Sequence, residues 1–178
     1  MSLGFALAFI FLFLSLGKGA KWLAFYGASC AMTVSMVGRG GLSVPIFFML
    51  LLLNGSAWYF LRYFTDREEK RSFRAVATLV PVVLTVTLLL IVALSGAGLG
   101  LVLSLTFGLI LASLCVVASG GPLVQFCGLL MAADGLLMVA GFLSSWPLFL
   151  TALGFWGVMV VLGVILLPRL VWRKAEDL

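Results

Sequence analysis

The sequence contains no histidine, three cysteines and few charged residues, and each shortage removes a class of function. Only 10% of the 178 residues are charged, whereas a soluble globular domain carries about 25%. Without histidine, the chain lacks the commonest ligand of catalytic zinc and haem and the usual proton shuttle near neutral pH. These shortages exclude a water-soluble enzyme.

The cysteines are far apart in the sequence, and each lies within an apolar run: Cys30, Cys115 and Cys127. They form no CxxC pair of the kind that holds a metal or carries out redox chemistry. We therefore interpret them as small buried apolar residues and predict no metal site.

Apolar residues make up 64% of the chain, and the mean hydropathy is +1.30. A soluble fold of this size cannot bury so much apolar surface. A membrane-spanning helix needs about 20 apolar residues. Runs of suitable length occupy 3–17, 20–37, 42–62, 75–94, 98–118, 122–143 and 147–167. The sequence thus predicts an all-α, polytopic membrane protein with seven transmembrane helices in one domain, 1–178.

One polar segment, 65–74, divides this domain into a three-helix half (1–64) and a four-helix half (75–178). The segment is too short to form a domain. It contains four residues of a candidate basic patch: Arg67, Lys70, Arg71 and Arg74. Such a patch binds anionic lipid head groups or an acidic partner, and the alternative is that its charges only determine topology.

The basic residues also predict the orientation of the chain. With seven helices and an external N-terminus, ten of the eleven Lys and Arg residues fall on the cytoplasmic side. Positive charges favour that side, so we predict a cytoplasmic C-terminus. No basic residue precedes the run 3–17, which we interpret as a retained helix. A six-helix arrangement without it satisfies the charge rule equally well.

Because the positions of the basic residues are explained by membrane topology, the net charge of +5 does not indicate nucleic-acid binding.

Asp134, near the middle of the run 122–143, is the one Asp, Glu, Lys or Arg residue that lies away from the ends of a predicted span. A charge there costs at least about 2.5 kcal/mol, so such an acid usually faces protein or water. Two interpretations are open: a proton or cation relay, or a neutral acid bonded to a neighbouring helix. A single acid makes a poor relay, which favours the second. Further buried polar candidates are Asn54, which bonds Asp134 if their helices touch, and Gln125.

Small residues recur on the faces of the last two predicted helices, where they allow helix backbones to approach closely. The candidate helix-packing positions are Gly128, Ala132, Gly135, Gly154 and Gly157. This pattern favours dense helix contacts, within the chain or with another subunit, over a large substrate cavity.

The stretch from Leu114 to Gly135, LCVVASGGPLVQFCGLLMAADG, resembles a motif of component E of hydrogenase-4-type membrane hydrogenases. The motif has a Leu-Cys-x-Val helix end, a Gln-x-x-Gly step and a polar-Gly pair. The matching residues are Leu114, Cys115, Val117, Gln125, Gly128, Asp134 and Gly135. The segment KGAKWLAFYGASC, residues 18–30, is similar to the family's first cytoplasmic turn and following helix. Length and hydropathy fit the family across essentially the whole chain.

The resemblance implies a cofactor-free membrane-arm subunit in the inner (plasma) membrane of a bacterium, related to the K-type subunit of respiratory complex I. It also implies antiporter-like subunits, other membrane-arm subunits and lipids as partners. In the family, a glutamate of the proton path precedes an Asn-Gly pair. Here Ala133 stands in place of the glutamate and Asp134 in place of the asparagine. A non-catalytic subunit follows, with at most a supporting role in proton translocation. The alternative is a stand-alone small proton- or cation-coupled transporter or channel that uses Asp134.

Overall fold

The computed structural model describes residues 2–15, 19–38, 40–65, 98–118, 121–170 and 172–173. Its helices are α1 (Ser2–Ser15), α2 (Leu23–Val37), α3 (Ser43–Leu61), α4 (Leu99–Val117), α5 (Pro122–Leu143) and α6 (Trp146–Leu170). A 3-10 helix (Gly19–Trp22) precedes α2. Two strands, β1 (Phe64–Thr65) and β2 (Trp172–Arg173), have two residues each. The predicted span 75–94 and the candidate basic patch lie outside the described residues.

Four of the described helices are long and apolar enough to cross a membrane: α3, α4, α5 and, over Trp146–Arg169, α6. In lipid, a helix satisfies every backbone hydrogen bond within its own segment, which is why apolar runs of this length fold as helices. Within the described residues, the prediction of an all-α fold is thus confirmed, apart from the two short strands, and four helices have the length and composition of membrane spans. The apolar helix α1 is shorter than these four.

Prolines and a tight turn define several helix ends. Pro45, Pro122 and Pro147 all lie in first turns, where a missing N–H costs no helical hydrogen bond. The helix α5 ends at Ser144 in the left-handed conformation (φ 49°), and the Ser145 N–H then donates to the Ala140 carbonyl at 3.1 Å. Two residues therefore suffice to reverse the chain between α5 and α6.

The predicted span 20–37 differs from the structure at its beginning. A 3-10 turn occupies Gly19–Trp22, and the α-helix starts at Leu23. Glycine is a weak helix former, and Trp22 at the N-cap offers no side-chain oxygen to the first helical N–H groups. The α-helical part of this span is therefore only 15 residues long.

The helices α1 and α2 form an antiparallel hairpin. Near the connection between them, the ring of Phe11 stacks on those of Trp22 and Phe25, with centroids 6.0 and 5.6 Å apart. At the far end, Gly4 lies against Thr33. The two helices are thus in contact from the beginning of α1 to its last turns.

The bundle has two distinct ends. At the turn end, Gly40 between α2 and α3 lies against Ser144 between α5 and α6. At the strand end, β1 and β2 pair antiparallel, with Phe64 opposite Arg173 and Thr65 opposite Trp172. Because β1 follows α3 and β2 follows α6, both helices finish at the strand end.

The helix α5 is the central element of the bundle. It contacts α2, α3, α4 and α6. In its most apolar stretch of 18 residues, 78% of the residues are buried, against 22% in the corresponding stretch of α6. A polar side chain in the middle of α5 is therefore surrounded by protein.

Candidate functional site

Asp134 lies in the middle of α5, and its side chain is fully buried (0% exposed). Neither carboxyl oxygen has a hydrogen-bond partner. Burying a polar group without a partner costs free energy, and an acid costs most in the charged form. Asp134, which the sequence identifies as a candidate, is thus an unpartnered polar residue in the interior of the bundle.

Asn54 of α3 and Trp156 of α6 are the two polar side chains close enough to act on the Asp134 carboxyl group, although neither makes a hydrogen bond of normal geometry to it. Asn54 is 0% exposed and Trp156 is 4% exposed. The Asn54 amide donates to the carbonyl of Leu50 at 2.9 Å, while its Oδ1 atom has no partner. The Nε1–H group of Trp156 has none either.

These three residues contain every buried side-chain nitrogen or oxygen that lacks a partner within the part of the chain that the structure describes. The atoms are Asn54 Oδ1, Asp134 Oδ1, Asp134 Oδ2 and Trp156 Nε1. Unpartnered buried polar atoms are rare in proteins, so four of them on three neighbouring side chains mark this point as a candidate site.

Tyr26 and Cys30 of α2 complete the surroundings of Asp134. Both side chains are fully buried and interact electrostatically with the Asp134 carboxyl group. The hydroxyl of Tyr26 donates to the carbonyl of Met131 at 3.1 Å, so α2 is bonded to α5 one turn before the acid. Ser113 of α4 lies beside Tyr26, and its hydroxyl donates to Leu109 of its own helix at 2.8 Å. The site therefore draws on five helices.

Gly27 positions Asn54 at this site. A Cβ atom at position 27 would overlap the side chain of Asn54, so α2 approaches α3 closely only because the residue is glycine. This close approach holds the amide between α2 and α5.

The other predicted site residues fall in two groups. Gly128 lies against the backbone of Ser113 and Val117, Gly135 lies against Ile110, and Ala132 is buried. These contacts bring α4 and α5 together.

In contrast, Gln125 is exposed in the first turn of α5 and does not join the buried cluster.

Gly154 and Gly157 also differ from the packed glycines of α5. Both are exposed, and a Cβ atom at either position would meet nothing within 4 Å. Of the glycines in α6, Gly163 is the one that packs, against the ring of Phe126. Any close-packing role of Gly154 and Gly157 thus requires a surface outside the described chain.

Sequence reasoning missed Tyr26 and Trp156. Both have a polar group at the end of an apolar ring, and such residues usually lie near membrane interfaces. A signal was nevertheless present, because Trp156 lies in the middle of its apolar run rather than near an end. An aromatic residue with an N–H group at that depth needs a buried partner.

Comparison with protein-family models, with curated proteins and with solved structures finds no match to this chain. The chemistry of the site therefore has to be inferred from its residues. Within the described ranges, no three His, Cys, Asp or Glu side chains come together as metal ligands. The cluster contains one acid, one amide and one indole at its centre, which suits the binding of a single proton, and the described residues around it offer no second carboxyl or amino group for passing the proton on.

Proposed function

We propose that the chain is a non-catalytic membrane-arm subunit of a complex I-like, hydrogenase-4-like or antiporter-related assembly in a bacterial inner membrane. It holds antiporter-like subunits in place and has at most a supporting role in proton translocation. The observation that carries the proposal is that Asp134 is fully buried beside the uncharged Asn54 and Trp156 side chains. A proton path needs several titratable or hydrated groups, and the described part of the bundle core supplies one acid.

Seven helices across the membrane are part of this proposal. The helices α4, α5 and α6 follow one another through short turns, and α6 finishes at the strand end, so α4 begins at the turn end. The helix α3 finishes at the strand end. Thr65 and Gly98 therefore lie at opposite ends of the bundle, as a further span over 75–94 requires. The long contact of α1 with α2 supports seven spans over six.

The orientation rests on three exposed basic side chains. Lys21 precedes α2, Arg62 follows α3 and Arg169 lies in the last turn of α6, so all three are at the strand end. The guanidinium of Arg62 also stacks on the rings of Tyr59 and Tyr63, at 4.3 and 4.7 Å from their centroids. Basic and aromatic residues together are typical of a cytoplasmic interface, which supports a cytoplasmic strand end.

This chain has exposed apolar surface on two helices, α3 and α6, which partner subunits could contact. On α3, Phe48 and Leu52 are more than half exposed, and on α6 the same holds for Leu150 and Val161. In a membrane such faces contact lipid tails or neighbouring helices. A scaffolding subunit needs faces of this kind on its periphery, and here they lie on the least buried of the spanning helices.

Purification in mild detergent tests the proposal. The tagged chain is extracted from its native membrane, and the proteins that remain bound are identified by mass spectrometry. Stoichiometric antiporter-like subunits are the expected result. A monomer or homodimer without partners contradicts the proposal, and an unrelated tagged multi-span protein from the same membrane controls for non-specific binding.

The alternative function, a stand-alone proton- or cation-coupled transporter, is favoured by the unpartnered carboxyl oxygens of Asp134. Purified chain in proteoliposomes distinguishes the two functions. A transporter carries a proton-linked flux that Asp134→Asn abolishes. If wild-type and variant vesicles have the same flux as empty vesicles, the alternative is wrong.

A further inference from the structure

The four unpartnered atoms of the site can be counted as hydrogen-bond donors and acceptors. An ionised carboxylate only accepts, whereas a protonated acid has one O–H donor. With Asp134 ionised, the four atoms comprise three acceptor oxygens and a single donor, the Trp156 N–H group, so two of the oxygens are left without a donor. With Asp134 protonated, its O–H serves Asn54 Oδ1 and its carbonyl oxygen accepts from Trp156 Nε1–H. The protonated form therefore pairs all the atoms that the structure leaves unpartnered.

This count depends on the orientation of the Asn54 amide, because the oxygen and nitrogen of an amide can be exchanged by a flip. Here the nitrogen donates to the carbonyl of Leu50 at 2.9 Å. A flip would turn the amide oxygen toward that carbonyl and replace a hydrogen bond with a repulsion between two acceptors. The hydrogen bond to Leu50 thus identifies the nitrogen of the Asn54 amide and leaves Oδ1 as a buried acceptor without a donor.

We propose that Asp134 binds one proton and holds it between Asn54 and Trp156, so that the ligand of this site is a proton rather than a metal cation. A hard cation takes about six or more oxygen ligands, and these three side chains offer three oxygens. The indole N–H also presents the positive end of its dipole to the site. This inference rests on the proposed function for its membrane setting and deepens the supporting proton role, because the proton is held rather than passed on.

The groups that face Asp134 agree with a neutral acid. On α2, the titratable groups beside it are Tyr26 and Cys30, both uncharged when protonated. Among the described residues of α3, α4 and α6, no charged side chain faces it. The basic side chains Lys21, Arg62 and Arg169 are exposed at the strand end. No positive charge in the described core stabilises an ionised Asp134.

The bound proton links three helices. Asn54 belongs to α3, Asp134 to α5 and Trp156 to α6, so one protonated carboxyl group joins all of them. Removing the proton leaves a charge in the interior and orphans an acceptor at the same time. Stability of the bundle therefore falls as the pH rises, because the folded chain holds a proton that the unfolded chain has released.

Infrared spectroscopy of the purified full-length chain tests the inference directly. The difference spectrum between wild type and Asp134→Asn isolates this acid from the five others. The expected result is a carboxylic-acid C=O band in the wild type at neutral pH, sensitive to exchange into D₂O. Trp156→Phe removes the N–H donor and shifts this band to higher wavenumber, whereas the matched change Trp58→Phe leaves it in place. A carboxylate band at neutral pH, or loss of the acid band on adding sodium or potassium ions, overturns the inference.

Thermal unfolding in the same detergent supplies the second measurement. Between about pH 6 and about pH 9, where an aspartate in water is ionised, the melting temperature of the wild type falls by several degrees more than that of Asp134→Asn. Equal pH dependence in the two proteins contradicts the proposal. Neither measurement needs a partner, so a purification without bound subunits refutes the proposed function and leaves the proton site standing.

Discussion

Gly27 of α2 lies directly against the side chain of Asn54 of α3, and this contact holds the amide beside Asp134. The atoms of Asn54 that Gly27 faces include Cβ and Cγ, which are close to the backbone and cannot move aside as the tip of a long side chain does. A glycine outside the polar cluster thus controls its geometry.

Replacing this glycine with alanine is expected to lower the free energy of unfolding by about 1–3 kcal/mol, the usual cost of adding a methyl group to a packed interior. Thermal unfolding of Gly27→Ala in mild detergent measures the effect. The matched control is Gly55→Ala, where a Cβ atom meets nothing within 4 Å and alanine is the better helix former. Equal melting temperatures for the two variants would contradict the packing described for Gly27.

The packed and open glycines of the last two helices are expected to respond differently to the same change. At Gly128 a Cβ atom would come within 2.9 Å of backbone atoms of Val117 and Ser113, which cannot yield without moving α4. Gly128→Ala therefore lowers the yield and melting temperature of the isolated chain. Gly157→Ala lowers neither, because its Cβ position is open and alanine is the better helix former. A loss of stability in Gly157→Ala alone would reverse this assignment.

The hydrogen bond from Tyr26 to the Met131 carbonyl is expected to contribute about 0.5–1.5 kcal/mol, as single buried hydrogen bonds do. Tyr26→Phe removes the hydroxyl and keeps the ring, so the loss falls on this bond. Unfolding of the variant in mixed detergent micelles measures it. Tyr59→Phe is the matched control, because the Tyr59 ring is 57% exposed and phenylalanine retains its contact with Arg62. No difference between the variants would mean that the bond is unimportant.

Single-cysteine labelling is expected to find the two ends of the bundle on opposite sides of the membrane. In a background with Cys30, Cys115 and Cys127 replaced by alanine, a membrane-impermeant maleimide labels Lys21→Cys and Arg62→Cys only from the cytoplasmic side.

Gly41→Cys, in the exposed turn between α2 and α3, is labelled only from the outside. Permeabilised membranes, in which all three positions react, provide the control. Labelling of Gly41→Cys and Arg62→Cys from the same side would contradict the proposed topology.

Asp134 and Asn54 were predictable from the sequence because a carboxyl or amide group inside an apolar run is costly and therefore conspicuous. The contacts of Tyr26 and Trp156 with Asp134 were not, because successive residues of a helix point about 100° apart. Which face of α2 or α6 meets Asp134 depends on how the helices rotate against one another. That rotation is set by close contacts such as Gly163 against Phe126, which a single sequence does not reveal.

The glycines also show that a single sequence does not reveal which helix faces are in contact. Gly128 and Gly157 belong to similar sequence patterns, yet the first touches the α4 backbone and the second meets open space. In contrast, the positions at which α5 and α6 begin follow from Pro122 and Pro147, because the effect of proline is local to its own turn. Features that depend on neighbouring residues in the sequence were thus predictable, and features that depend on contact with another helix were not.

The grouping of Lys21, Arg62 and Arg169 at the strand end makes the bundle electrically asymmetric. An energised bacterial membrane is negative inside, and moving one elementary charge across it costs about 2.3 kcal/mol for each 100 mV. With the strand end on the cytoplasmic side, as proposed, turning the bundle over would carry these cations outward against that voltage. In the proposed setting, the membrane voltage therefore acts as a restraint on the orientation of the chain itself.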